Sequence, residues 1–185
     1  MEGNPFTQFI FQIFIFCAIL IIGYTCNFYY LAFLSSHRKD KNSVIEVGEP
    51  TITIQLPIYN EKYVATRLVD AVCQQDYPKD KMRIMVLDDS DDDTVETMSD
   101  TVKKYQSLGF DIEHVRRETR NGYKAGALKH AMKSTDSEFV AIFDADFIPP
   151  KWYLKKAMPH FAKSNIGLVQ CRWGHINENY SALTQ

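Results

Sequence analysis

In FVAIFDADFIPP, residues 139–150, an apolar run ends in two carboxylates one residue apart, Asp144 and Asp146, and is stopped by Pro149 and Pro150. In extended backbone, residues i and i+2 point the same way, so both acids can face one point with Ala145 turned aside. Like charges so close repel, and a cation between them relieves the repulsion. A hard divalent ion suits the pair, since Mg2+ or Mn2+ commonly takes one or two carboxylates and keeps positions for water and substrate phosphate. The plain alternative is a turn whose acids cap the next helix or meet solvent, because Asp is frequent in turns.

Three further stretches carry similar chemistry: IYNE at 58–61, DDSDDD at 88–93 and NGYKAGAL at 121–128. Asp89, Asp91 and Asp93 occupy the first, third and fifth places of a calcium loop, but Thr94 stands where its glycine belongs and Asp100 where its glutamate does. A better division puts Asp88 and Asp89 at a strand end, available to a ligand, with residues 90–93 opening a helix whose positive end favours acids. In NGYKAGAL the glycines admit close backbone approach, and Lys124 is a point charge suited to phosphate. Neither the Walker spacing nor GxGxxG is present, and Tyr59-Asn60-Glu61 follows the first strand in place of a glycine cradle. A dinucleotide-binding oxidoreductase is disfavoured on both counts.

The elements that must position these residues alternate between strand-like and helical patterns, the signature of an α/β fold with a mostly parallel sheet flanked by helices. Strands are expected at 51–57, 82–89, 110–117, 138–146 and 166–173. Helices are expected at 61–74, where Val64, Leu68 and Val72 make one stripe, and after 93, where Val95, Met98, Val102 and Tyr105 do. Asp93 and Glu96 are spaced as a capping box. Two more helices are expected at 123–134 and 152–161. FVAIF reads as a central strand covered on both faces. In such sheets ligands bind outside the carboxyl ends of the strands, so the first, second and fourth strand ends would share one crevice.

The first segment differs in kind. Residues 3–36 carry no charged side chain, and FIFQIFIFCAILIIGY within them is almost continuously apolar. That suffices for the roughly 20 residues that span a bilayer, and residues 1–36 read as a transmembrane anchor. A signal peptide would want a basic start and a shorter apolar core. His37, Arg38, Lys39 and Lys41 open a polar linker over 37–50 and place the following domain, 51–185, on the cytoplasmic side. A formal charge of -2 over 185 residues gives no electrostatic case for nucleic acid. Cys17, Cys26, Cys73 and Cys171 show no metal spacing, and His114, His130, His160 and His175 form no ligand cluster. Trp152 and Trp173 suit packing at least as well as sugar stacking.

Taken in order, PIYNE, VLDDSDDDT, NGYKAGAL and FDADFIPP resemble the motifs of family 2 glycosyltransferases with the GT-A fold. The fuller phrase KAGALKHAM, FVAIFDADFIPP, VQCRW is similar to the membrane-anchored, cellulose synthase-like and glucomannan synthase-like branch. The resemblance covers residues 50–185. It implies that Asp144 and Asp146 hold Mg2+ or Mn2+ on the diphosphate of a sugar nucleotide, and that Tyr59 and Glu61 hold the base. Asp89, with Asp88 as the alternative, falls on the acid that contacts the nucleoside, and Lys124 on the lysine that approaches the diphosphate. The implied partners are a UDP-sugar or GDP-mannose donor, a sugar or lipid-linked acceptor, and the membrane. The family's general base lies in a TED or ED motif well downstream, ahead of QxxRW. Gln170-Cys171-Arg172-Trp173 has one residue too few between Gln and Arg, so no catalytic base is assigned. The chain therefore reads as the donor-binding half of a longer enzyme or a truncated product. A sugar-nucleotide-binding module without turnover is the alternative, and a nucleotidyltransferase is a third.

Overall fold

The computed structural model describes residues 4–37, 48–162, 165–171, 174 and 180–181. The chain divides into two units, one within Met1–Ser43 and one within Val44–Gln185. The basic linker residues Arg38, Lys39 and Lys41, together with Trp173 and His175, lie outside the described residues.

Among the described residues the first unit holds one helix, α1 (Pro5–Ser36). Asn4 caps it by accepting the Phe6 N–H at 3.0 Å, and Pro5 fits the first helical position, where its missing N–H costs nothing. At 1.5 Å per residue its 32 residues extend about 48 Å, more than the ~30 Å of a hydrocarbon core. Thr25 turns its hydroxyl onto the Ile21 carbonyl at 2.8 Å, which satisfies that hydroxyl within the helix. By length and composition α1 can cross a membrane.

Among the described residues the second unit is a four-stranded parallel sheet in the order β3-β2-β1-β4, built from β1 (Ile52–Ile58), β2 (Met82–Asp88), β3 (Asp111–Val115) and β4 (Phe139–Ile142). Helices α2 (Lys62–Cys73), α3 (Thr94–Ser107), α4 (Tyr123–Ala131) and α5 (Tyr153–Ala157) connect and cover it. Period-two alternation sends Ile52, Ile54, Leu56 and Ile58, with Ile84 and Val86, into one core. There they meet Leu68 and Val72 of α2 and Met98, Val102 and Tyr105 of α3, the stripes expected from spacing. The other face is smaller: Met85 and Leu87 pack against Ala127 and Ala131 of α4.

β1 and β2 pair over seven positions, Ile52↔Met82 to Ile58↔Asp88, whereas β1 and β4 pair over four and stop at Gln55↔Ile142. The Gln55 carbonyl accepts the Phe143 N–H, so odd-numbered β1 residues address β4. The next donor on that edge would be Pro57, which has no N–H. The two strands part there. Because the chain runs outward from β1 through β2 to β3 and then crosses to β4, this gap is also where the strand order reverses, the place at which open α/β sheets bind ligands.

Several expectations are corrected. Residues 166–171 form no strand, and the end of that expected element falls outside the described residues. Among the described residues β4 is an edge strand paired only with β1, and its side chains are half-exposed, Ile142 at 48%. It is not the central, doubly covered strand; that strand is β1. The helix expected over 152–161 is α5 followed by a tighter 3-10 turn at Met158–Ala162. No capping box forms at α3: Asp93 pairs with Lys62 at 2.8 Å, and the Thr94 N–H is taken by Asp92 at 2.9 Å.

Candidate functional site

A cleft of about 310 Å3 lies over the gap between β1 and β4. Of the residues singled out from sequence, Tyr59, Glu61, Asp89, Lys124, Asp144 and Asp146 all line it. Asp88 does not.

At the end of β4 the two acids are carried by a turn. The Asp144 carbonyl accepts the Phe147 N–H at 3.0 Å, so residues 144–147 form a β-turn rather than continuing the extended strand. Phe143 and Ala145 are buried, each 3% exposed, and anchor the turn while leaving both carboxylates toward the cleft. The acids cap no helix, since α5 begins beyond Trp152. Asp144 is paired with the Lys124 ammonium from the start of α4. Glu61, at the foot of α2, has its carboxyl pushed above the usual range by burial and then by the nearby Asp146 and Asp144, against weaker pulls from Lys124 and the Tyr59 backbone. Three acids thus repel one another across one cavity.

The β2 end is built differently. Asp88 is wholly buried: one carboxylate oxygen meets His114 Nε2 at 2.8 Å and the other accepts the Ser90 N–H at 2.9 Å. Burial pushes its pKa up, but the bonds from His114 and Ser90 outweigh it and hold the carboxyl below the ordinary value. His114 is therefore a satisfied histidine. Asp89 borders the cleft, yet it is gripped by Arg117, whose Nε donates at 2.9 Å and whose Nη2 donates to the other oxygen.

The loops after β1 and β2 are joined side to side. Asn60 sits in the left-handed region at φ 54°. Its N–H goes to Ser90 Oγ at 2.9 Å, its Nδ2 donates to Asp91 at 2.8 Å, and its Oδ1 accepts the Asp91 N–H at 3.1 Å. This fixes Tyr59, whose ring carries the guanidinium of Arg120 at 3.2 Å from its centroid. Arg120 also lines the cleft. Sequence reasoning missed Arg117, Arg120 and Asn60; the arginines of RRETR, directly after the third strand, were the signal that could have found the first two. Trp152 lies outside the cleft lining, with Lys156 Nζ 4.0 Å above its ring.

At the N-terminus of α4, Gly122 (φ 73°) and Tyr123 (φ 49°) are successive left-handed residues. A Cβ on Gly126 would lie 2.0 Å from the Asn121 carbonyl oxygen, so only glycine lets that turn close on the helix.

The donors offered to a metal are all carboxylate oxygens, the set that hard divalent ions prefer. Among the described residues no three His, Cys, Asp or Glu side chains converge closely enough to hold an ion unaided. The mutual repulsion recorded at Glu61 and the pairing of Asp144 with an ammonium both mark a place that favours positive charge. Asp144 and Asp146 fit an ion that completes its shell with phosphate and water.

The family model for glycosyl transferase family 2 matches residues 53–184, and the chain belongs to that family. Its fold is of the GT-A type. It is 40% identical over 141 residues to the probable glucomannan 4-beta-mannosyltransferase 15 of Arabidopsis thaliana, a member of the branch expected from sequence. That match takes in 74% of this chain and 26% of the relative, so the chain spans about a quarter of the relative's length. Among solved structures it is similar to the mannosyltransferase PcManGT of Pyrobaculum calidifontis in complex with GDP-Man and Mn2+, with TM-score 0.68 and 28% identity, over 79% of this chain and 42% of that one. It also resembles S. aureus TarS 1-349 in complex with UDP-GlcNAc, with TM-score 0.52 and 28% identity, over 58% and 30% of the two chains.

Proposed function

We propose that the chain carries the donor-binding site of a membrane-anchored glycosyltransferase. It moves a hexose from a nucleotide sugar, GDP-mannose or a UDP-sugar, to the hydroxyl of a sugar or lipid-linked acceptor. The observation that carries this reading is the convergence of Tyr59, Glu61, Asp89, Lys124, Asp144 and Asp146 on one cleft at the point where the strand order reverses.

Tyr59 and Glu61 face the base and Asp89 the nucleoside; Asp88, wholly buried, is set aside. Lys124 lies toward the diphosphate, and Asp144 and Asp146 would hold Mg2+ or Mn2+, with Mn2+ favoured by the complex of the archaeal relative. When bound, the ion neutralises charge on the departing diphosphate. Lys124, paired with Asp144, would add positive charge toward the same diphosphate, as a donor aimed where charge develops. Transfer with inversion further needs a base for the acceptor proton. The Arabidopsis relative supports a polysaccharide product, and α1 with the basic stretch after it supports a cytoplasmic site on a membrane anchor.

A second reading, a sugar-nucleotide-binding module without turnover, is favoured by the lining itself: among the described residues every carboxylate in the cleft already has a donor-side or metal-side role. Calorimetric titration of the full chain with GDP-mannose and UDP-sugars, with and without Mn2+, tests the donor reading, and failure of every nucleotide to bind folded protein with metal present sinks it. Sugar transfer that collapses in Asp144→Ala or Asp146→Ala eliminates the second reading.

A further inference from the structure

We propose that Arg117 is a positioning residue for donor binding, fixing the turn of residues 121–124 and through it the Lys124 ammonium. The proposal rests on the donor reading above and adds to it a residue that does not line the cleft.

The Arg117 side chain is 10% exposed and the Asp89 side chain 8%. One guanidinium reaches three segments. Nε and Nη2 hold both oxygens of Asp89 at the end of β2; Nη1 donates to the Asn121 carbonyl at 2.9 Å; Nη2 also reaches the Tyr123 carbonyl at 3.2 Å. Those two carbonyls flank Gly122, so the guanidinium closes around the left-handed pair Gly122-Tyr123. A non-glycine residue in that region is strained and persists only where its surroundings over-determine it. Arg117 supplies part of that constraint, and Gly126 makes the room, since a Cβ there would also lie 2.8 Å from Arg117 Nη1.

Lys124 follows the pinned carbonyl directly, and its ammonium pairs with Asp144 across the cleft. Its reach toward a diphosphate is therefore set by how residues 121–123 are held. No lysine at 117 could do the same, because an ammonium has one nitrogen where the guanidinium presents a planar fork to a carboxylate and two carbonyls at once. Asp89 is drawn into the same device: both its oxygens accept from Arg117, and the residue borders the cleft.

The test is a double-mutant cycle on the full chain in detergent, read by calorimetry with GDP and with UDP in the presence of Mn2+. R117K is expected to weaken the tighter nucleotide about tenfold, the loss of one charge-assisted contact. K124A is expected to weaken it at least as much. If Arg117 acts through Lys124, adding R117K to K124A costs less than about twofold more, because the two changes then remove the same interaction. Losses that multiply in the double variant, or an R117K protein that binds like the wild type, overturn the proposal. Thermal melting accompanies each variant, and where R117K is unfolded at the assay temperature R117Q, which keeps one amide donor for Asp89 and gives up the carbonyl contacts, takes its place with the same expected pattern. A wild-type chain that binds neither nucleotide removes the donor reading itself, and the cycle then has nothing to divide.

Discussion

The ends of β2 and β4 both present clustered aspartates, and they have opposite fates. At β2, Asp88 is buried on His114 and Ser90 and Asp89 is clasped by Arg117. At β4, Asp144 and Asp146 sit on an open turn of an edge strand, with one lysine paired to Asp144. The first pair is held by the protein's own side chains; the second, apart from the Lys124 pair, is turned to the cleft. What separates them is the neighbouring strand. β3 lies beside β2 and delivers His114 and Arg117, whereas β4 has β1 on one side and no described strand on the other.

Removing acids from the two ends should break the protein in two distinct ways. Asp89→Ala leaves a buried guanidinium without its partner and is expected to cost about 3 kcal/mol of stability by denaturant unfolding. Asp144→Asn or Asp146→Asn should weaken Mn2+-dependent nucleotide binding by at least ~100-fold, since losing a metal ligand exceeds the usual cost of losing its supporting contacts. The same variants should shift unfolding by no more than about 0.5 kcal/mol. A large loss of stability at β4, or none at β2, would erase the contrast.

Acid should cost stability at the β2 end. A carboxyl held below its unfolded pKa contributes stability that is present above the unfolded value and lost as pH falls through the folded one. Asp88 is such a group. Asp88→Asn is thus expected to lose about 1–3 kcal/mol at pH 7 and to flatten the loss of stability below about pH 4, measured as unfolding midpoint against pH. The smallest effect is expected on the rim: Lys62→Ala breaks an exposed pair with Asp93 and should leave the melting curve unchanged.

Much of this was legible in the residues. Alternation along TITIQLPI and MRIMVLD and the stripes of α2 and α3 reflect burial, which chain periodicity records directly. The acids of the cleft were legible too, because strand ends are where such sheets place ligands, whereas Arg120 was not. The partition between Asp88 and Asp89 was not: it depends on His114 and Arg117, 26 and 28 residues further on, and on β3 lying beside β2. The edge position of β4 was hidden for a similar reason, since four apolar residues look alike whether one face or both are covered. The capping box failed because Lys62, from another helix, competed for Asp93.

The seven-rung pairing of β1 with β2 ends on Ile58↔Asp88, and alternate residues of a strand face opposite sides. A single residue inserted or deleted within β2 would therefore do more than shift the loop. A deletion would bring Asp89 to the interior place beside His114 and send Asp88 to the place of Leu87, whereas an insertion would put Leu87 in that interior place and Asp88 where Asp89 now meets Arg117. Only the deletion keeps an acid in that place, which the tandem DD allows, so strand length and residue identity together hold the interior acid inside.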